Sequence, residues 1–261
     1  MNQATPYRGF DLHCHLDLFP DHQAAIRNAE AARVFTLAVT TTPRAWPRNK
    51  ELCAGSPYVH AAVGLHPQLV ADLGHELPLW RALMSETRFI GEVGLDAGPR
   101  FYQSFDLQKK VFRTVLEDCA TIGDRILSVH SIRSAASVLQ LIESHLPSEL
   151  GTVVLHWFTG TLTEARRAVD LGCYFSVNMP MTQTAKGRAL IASLPIDRIL
   201  SETDGPFTTA NRGAPSCPAD VVQVPAEIAK IRGGSADDIL RAIANNLQTL
   251  VKGAEPFEAR Q

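Results

Sequence analysis

The fold class that the sequence predicts is an α/β closed barrel, a (β/α)8 TIM barrel built as one domain from residues 1–261. Three observations predict it. Short apolar or β-branched runs alternate with amphipathic stretches along the whole chain, as in a parallel sheet wound with helices. The length suits such barrels, which need about 250 residues. No shift in composition marks a domain boundary. The alternative is an open doubly wound sheet, but no Gly-rich phosphate loop follows the first strand.

The elements are predicted in order. Phe10 to Asp17 opens with the first strand, where His13 and His15 point to one face because successive side chains alternate. Pro20-Asp21 starts a helix to about Arg33, with Ala25, Ile26, Ala29 and Ala32 at helical spacing. Val34 to Thr42 is a β-branched strand stopped by Pro43, and Tyr58 to Gly64 is a third strand leading to Leu65-His66-Pro67. A helix over Glu76 to Thr87 precedes a fourth strand, Arg88 to Asp96. The amphipathic stretch from about Ser104 to Ile122 leads to a fifth, Arg125 to His130. Helices at Ala135 to His145, Leu162 to Leu171 and Ala185 to Leu194 then alternate with strands at Thr152 to Trp157, Tyr174 to Asn178 and Arg198 to Asp204. Helices near Ala219 to Ile231 and Ala236 to Val251 finish the chain around Gly233-Gly234-Ser235, and residues 1–8 and 253–261 read as tails.

Composition sets limits on function. Hydrophobic residues are 45% and charged residues 20%, ordinary for a globular protein, and the net charge of −2 announces neither a nucleic-acid nor a membrane partner, though a local basic patch is compatible with it. The five cysteines are odd in number and lack a Cys-x-x-Cys pair, which argues against a disulfide framework or a zinc ribbon and suits a reducing compartment. There is no apolar leader-type segment and no run of about 18 apolar residues. The expectation is a soluble cytoplasmic protein with no membrane partner.

The polar residues fall where such barrels build their sites, at the C-terminal ends of strands. His13 and His15 end the first strand, Glu92 lies near the end of the fourth, and His130, His156 and Asp204 end the fifth, sixth and eighth. Burying six such groups without a shared partner costs several kcal/mol apiece, and a metal centre supplies the partner. Four imidazoles and two carboxylates exceed the needs of one tetrahedral ion. They suit two divalent ions about 3.5–4 Å apart, bridged by a carboxylate and activating a water. The six lysines avoid the strand ends, so Glu92 is the natural bridge.

Around this set, Asp96 and Glu202 would either orient metal-bound histidines through their second N–H or form plain salt bridges. His66 projects toward the same face, for substrate phosphate or behind the ligands. Trp46, Trp157 and Phe207 would stack on unpaired bases or roof the barrel mouth. Arg44, Arg48, Lys50, Arg100, Arg133, Lys186, Arg188 and Arg212 follow strand ends and would form a basic rim, some being ordinary solvated charges. Asp17 braces the loop after the first strand, Cys14 packs away from its neighbouring histidines, and His22, His60, His75 and His145 are incidental.

Six ordered motifs carry a family resemblance over residues 10–207: Asp11-Leu12-His13-Cys14-His15-Leu16-Asp17, Val63-Gly64-Leu65-His66-Pro67, Gly91-Glu92-Val93-Gly94-Leu95-Asp96, Val129-His130-Ser131, His156-Trp157-Phe158-Thr159-Gly160 and Glu202-Thr203-Asp204-Gly205-Pro206. In these the chain resembles the TatD-type metal-dependent hydrolases, (β/α)8 members of the amidohydrolase superfamily whose characterised members are largely Mg²⁺- or Mn²⁺-dependent deoxyribonucleases. The resemblance implies that His13, His15 and Asp204 hold one ion, His130 and His156 the other, and Glu92 bridges them. Three places depart from the family pattern. Ile132, followed by Arg133, stands where the family often has Arg, Ala97 follows Asp96, and Asn246-Leu247-Gln248-Thr249-Leu250-Val251 lacks the usual Arg. With Thr40-Thr41-Thr42-Pro43-Arg44-Ala45-Trp46, His66-Pro67-Gln68-Leu69 and His156-Trp157-Phe158, these resemble the divergent subset found in Qat-type anti-phage defence loci, which implies partner proteins from a defence operon.

The expected function is therefore a divalent-metal phosphodiesterase acting on DNA. It would use Mg²⁺ or Mn²⁺, with Zn²⁺ as the other ion the donors suit. Glu92 and Asp204 are the catalytic candidates, Asp204 orienting or deprotonating the water. His66, Arg44, Arg133 and Trp157 are the substrate-binding candidates. Two competitors stand beside it: a metal-dependent amide or ester hydrolase, such as an aminoacyl-tRNA deacylase, and a weakly catalytic, metal-stabilised subunit of a defence complex.

Overall fold

The computed structural model describes residues 7–210 and 213–252. Residues 1–6 and 253–261 of the expected tails, and Arg212 of the expected rim, lie outside the described residues. Tyr7 and Arg8 are not tail. The Tyr7 ring packs on Phe10, Phe35 and Tyr58 with centroids 5.7–5.8 Å apart, and Arg8 N donates to Arg33 O at 2.8 Å.

The chain alternates as predicted through β1 (Gly9–Cys14), α1 (His22–Ala32), β2 (Val34–Val39), α2 (Trp46–Cys53), β3 (Val59–Ala62), α3 (Val70–Leu73), α4 (Leu77–Leu83), β4 (Phe89–Asp96), α5 (Phe105–Ile122), β5 (Arg125–Ile132), α6 (Ala135–His145), β6 (Gly151–His156), α7 (Leu162–Asp170), β7 (Tyr174–Val177), α8 (Met179–Gln183), α9 (Ala185–Ser193), β8 (Ile199–Ser201), α10 (Val224–Arg232) and α11 (Ala236–Lys252). The strands pair in parallel in the order β1-β2-β3 and β4-β5-β6-β7-β8. Backbone bonds join the two runs at both seams. Val63 N donates to Phe89 O at 3.2 Å and Gly91 N to Val63 O at 3.1 Å on one side; Asp204 N donates to His13 O at 2.9 Å and His15 N to Gly205 O at 2.8 Å on the other. The result is an α/β TIM-type barrel.

Its strands are buried on both faces, which is why they read as near-continuous apolar runs: every residue of β1, β2 and β4 is buried. At Gly64 close approach of the backbone requires glycine. A Cβ on Gly64 would lie 1.9 Å from Thr40 O and 2.2 Å from Glu92 N, so only glycine lets the chain after β3 pass there. That passage places Glu92, whose N–H donates to Thr40 O at 3.0 Å and whose carbonyl accepts from Leu65 N at 3.0 Å.

Several elements differ from expectation. No helix is predicted between Pro43 and Tyr58, yet α2 forms there, because Pro47 stands in its first turn, where the missing N–H has no intrahelical partner to lose. The predicted helix over 76–87 ends at Leu83 and continues as a 3-10 turn. The one over 219–231 begins as a 3-10 turn at Pro218, with α10 starting at Val224 just before Pro225. β5 runs on to Ile132, whereas β8 stops at Ser201, so Asp204 stands in the segment that follows the strand.

Candidate metal centre

All six residues proposed from the strand ends come together at one end of the barrel. His13 and His15 leave β1 on the same face, with their Nε2 atoms 3.2 Å apart. Cys14 between them turns outward into a cluster with Leu16, Ala25 and Ile26, as its parity requires. From the opposite side of the barrel, β4 delivers Glu92 to the middle. Its Oε2 lies 3.4 Å from His15 Nε2 and 3.6 Å from His13 Nε2. Its Oε1 lies 2.7 Å from His130 Nδ1, 3.2 Å from His66 Nε2 and 3.8 Å from His156 Nε2. The two oxygens of one carboxylate thus face two different sets of imidazoles. Asp204 Oδ1 approaches the first set, 3.6 Å from His15 Nε2 and 3.8 Å from His13 Nε2.

The histidines are held from behind. His13 Nδ1 meets Ser128 Oγ at 2.6 Å, and His130 Nε2 meets Asp96 Oδ2 at 3.1 Å. His156 Nδ1 meets both oxygens of Glu202 at 3.0 Å. Such partners orient the rings and leave the other nitrogen to face the centre. Asp96 is itself fixed by the side-chain amide of Gln68 at 2.7 Å and the backbone N–H of Gly98 at 2.7 Å. Glu202 accepts from the Ser176 hydroxyl, from Asn178 Nδ2 at 2.9 Å and from Trp157 N at 3.1 Å. Asp11 ties β1 to the end of β8, accepting from Thr203 N at 2.8 Å and Thr203 Oγ1 at 2.6 Å, one residue before Asp204. Arg133, Trp157 and Asp204, which end or follow β5, β6 and β8, all adopt left-handed backbone (φ 53°, 38° and 56°), turning the chain sharply at the mouth.

The donor set fits divalent cations. Asp11, Glu92, Asp96, Glu202 and Asp204 are buried, and no Lys or Arg lines the cavity of about 200 Å³ above them among the described residues. Two imidazole nitrogens 3.2 Å apart with carboxylate oxygens beside them form a cradle that a shared cation satisfies. Groups of three donors close enough for one ion are His13-His15-Glu92, His13-His156-Asp204 and His66-Glu92-His130.

Burial would raise the Glu92 carboxyl, but the surrounding imidazoles, His66 and His13 foremost, hold it well below the usual range. Burial, reinforced by His156, keeps His13 neutral. His156 goes the other way, because Glu202, Asp204 and Glu92 outweigh its burial and lift it to about 10. Burial pushes Asp204 up to about 7. Below that pH a proton sits on Asp204, and a cation must displace it along with the one on His156 Nε2. Mn²⁺ affinity is therefore expected to fall as pH drops through 7, with net proton release on binding. Titration calorimetry at pH 6, 7 and 8 in buffers of different ionisation heat checks both the trend and its sign.

His66 lines the cavity and stands closer to the donors than its position before Pro67 suggests. Trp157 and Phe207 also line it, and Phe207 is 62% exposed. Trp46 is only 2% exposed inside the core, so it neither stacks on a base nor roofs the mouth. Arg44 is ion-paired with Glu76, Arg48 with Glu51 and Lys50 with Glu86, so the rim following β2 is neutralised. Arg133 is exposed beyond β5 and does not line the cavity. The supports Ser128, Gln68 and Asp11 were not anticipated. Ser128, two residues before His130, and Asp11, two residues before His13, carried a parity signal, each lying on the same face of its strand as that histidine.

The comparisons agree with this geometry. Residues 10–252 match the family model described as TatD related DNase. An uncharacterised metal-dependent hydrolase of Escherichia coli K12, YjjV, is 31% identical over 93% of this chain and 97% of its own length. The human deoxyribonuclease TATDN3 is 27% identical over 90% of this chain and 92% of its own. The crystal structure of YjjV superposes with a TM-score of 0.84 at 30% identity, covering 93% of this chain and 97% of that one.

Proposed function

The chain belongs to the TatD family of metal-dependent hydrolases, and from that premise we propose that it cleaves phosphodiester bonds of DNA with two divalent ions bridged by Glu92. One observation carries the two-ion reading: Glu92 Oε2 faces His13 and His15 while Oε1 faces His130, His66 and His156. His13, His15 and Asp204 would hold one ion, and His130 and His156 the other. Mg²⁺ and Mn²⁺ are the ions that the family resemblance implies, and the imidazole donors also suit Zn²⁺. Bound ions supply Lewis-acid stabilisation of charge developing on the phosphoryl oxygens and make water a nucleophile near neutral pH.

The chain's own groups do the rest. Asp204, whose Oδ1 lies 3.6 Å from His15 Nε2 and 3.8 Å from His13 Nε2, is placed to orient or deprotonate the attacking water. Asp96 and Glu202 keep the His130 and His156 rings in register with the reacting phosphate. His66, on the open side of Glu92 and 12% exposed at its side chain, is placed to contact a phosphate oxygen. Walls of Trp157 and Phe207 limit access of bulk water. The departures at Ala97, Ile132 and residues 246–251, with residues 40–46, 66–69 and 156–158, support the further reading that this activity serves anti-phage defence with operon-encoded partners.

The purified chain is expected to cleave single- or double-stranded DNA with Mg²⁺ or Mn²⁺, to stop with a chelator and to resume when metal is returned. Parallel incubations with RNA and acyl esters give the contrast. Hydrolysis of an ester with no phosphodiester cleaved by any of Mg²⁺, Mn²⁺ or Zn²⁺ would establish a carbonyl hydrolase instead.

A further inference from the structure

A second cavity, of about 140 Å³, opens beside the metal centre, between the chain following β6 and helices α8 and α9. Trp157 is a wall of both cavities. Its indole meets His156 edge to face with centroids 6.4 Å apart, and its backbone N–H donates to Glu202 Oε1 at 3.1 Å, so the chain carrying this ring is anchored between this space and the metal ligands. Behind that ring the lining is apolar. Phe158, Met181 and Leu190 are buried and Pro180 is half-buried. The cation at its edge is Lys186, whose ammonium reaches the Thr159 carbonyl.

The surrounding charges favour the same side of the mouth. Arg44, Arg48 and Lys50, following β2, are each spent on a carboxylate. Lys186, like Arg133 following β5, is exposed and has no ion pair among the described residues. Unneutralised cations, the reactive centre and an apolar slot with an aromatic wall therefore follow one another across β5, β6 and β7. A single-stranded polyanion with flat apolar side groups fits that sequence of surfaces, because cations track the backbone while each base finds an apolar or aromatic face.

We propose that the second cavity is the subsite for the nucleobase adjoining the cleaved phosphodiester, with Trp157 as the partition between base and metals and Lys186 beside the next phosphate. This rests on the phosphodiesterase reading. It adds that the enzyme grips its substrate by a base as well as by phosphate, and that the grip lies on the β6–β7 side.

The test compares two probes, a thymidine trinucleotide and its abasic counterpart with the same phosphates, on the full chain loaded with Mn²⁺. Cleavage and equilibrium binding, followed by tryptophan fluorescence, are both read. Wild type is expected to prefer the base-containing probe. Pro180→Trp, which fills the slot from its half-exposed edge, is expected to shrink that preference about tenfold in kcat/KM and in affinity, the scale of one lost base stack. Lys186→Gln is expected to weaken both probes alike. Met181→Trp repeats the filling from the buried side, and thermal melting identifies any variant that fails to fold. No preference in wild type, or a preference that survives in folded Pro180→Trp, overturns the subsite. If neither probe is cleaved but the trinucleotide still binds in preference to the abasic one, and Pro180→Trp removes that preference, the nuclease reading fails and the subsite stands.

Discussion

Replacing Glu92 by Gln is expected to remove metal-dependent hydrolysis by about 10³-fold or more while the chain stays folded. The amide keeps the volume and one carbonyl oxygen, but it loses the negative charge that both imidazole sets face and offers an N–H₂ where one of them needs an acceptor. Charge stabilisation of several kcal/mol in the transition state is at stake, and each 1.4 kcal/mol is about tenfold in rate. The residue is buried among histidines that hold it strongly ionised, so no solvent charge replaces it. Turnover at saturating Mn²⁺, beside a thermal melt, separates loss of chemistry from loss of fold. Activity within tenfold of wild type would mean that Glu92 does not join two ions.

Glu202→Ala is expected to be the most destabilising of the site variants, by about 3–5 kcal/mol, the cost of removing one partner of a buried charged network. Glu202 is fully buried and accepts from His156, Trp157, Ser176 and Asn178, four donors drawn from β6, β7 and the segments that follow them. Alanine leaves all four without an acceptor, whereas Gln retains a carbonyl oxygen for part of them and is expected to cost less. Chemical denaturation reads the difference as a shift in midpoint at constant slope. A loss below 1 kcal/mol for Glu202→Ala would show that water satisfies the four donors.

How far the site could be read from sequence follows from what kind of relation each residue has. His13 and His15 were legible because strand parity alone puts them on one face, and Glu92, His130 and His156 because polar residues closing apolar strands stand out. Asp204 was found by the same logic although β8 stops at Ser201, since the chain continues along β1 for several residues beyond the formal strand end. The ion pair of Arg44 with Glu76 joins residues 32 apart across two loops, which no local pattern encodes, so Arg44 read as a free rim cation. Trp46 follows a strand and so read as a mouth residue, but α2 carries it back into the core. Ser128 and Gln68 support a histidine and a carboxylate through single hydrogen bonds, and short polar residues of those types are too common to announce such roles.

The central claim is that one carboxylate joins two ions, and anomalous diffraction from a Mn²⁺-soaked crystal tests it most directly. Two peaks about 3.5–4 Å apart are expected, one between Glu92 Oε2, His13, His15 and Asp204 and the other against Oε1 with His130 and His156. The same soak of Glu92→Gln is expected to lose at least one of them. A single peak in the wild type, or two peaks that do not share Glu92, would contradict the account.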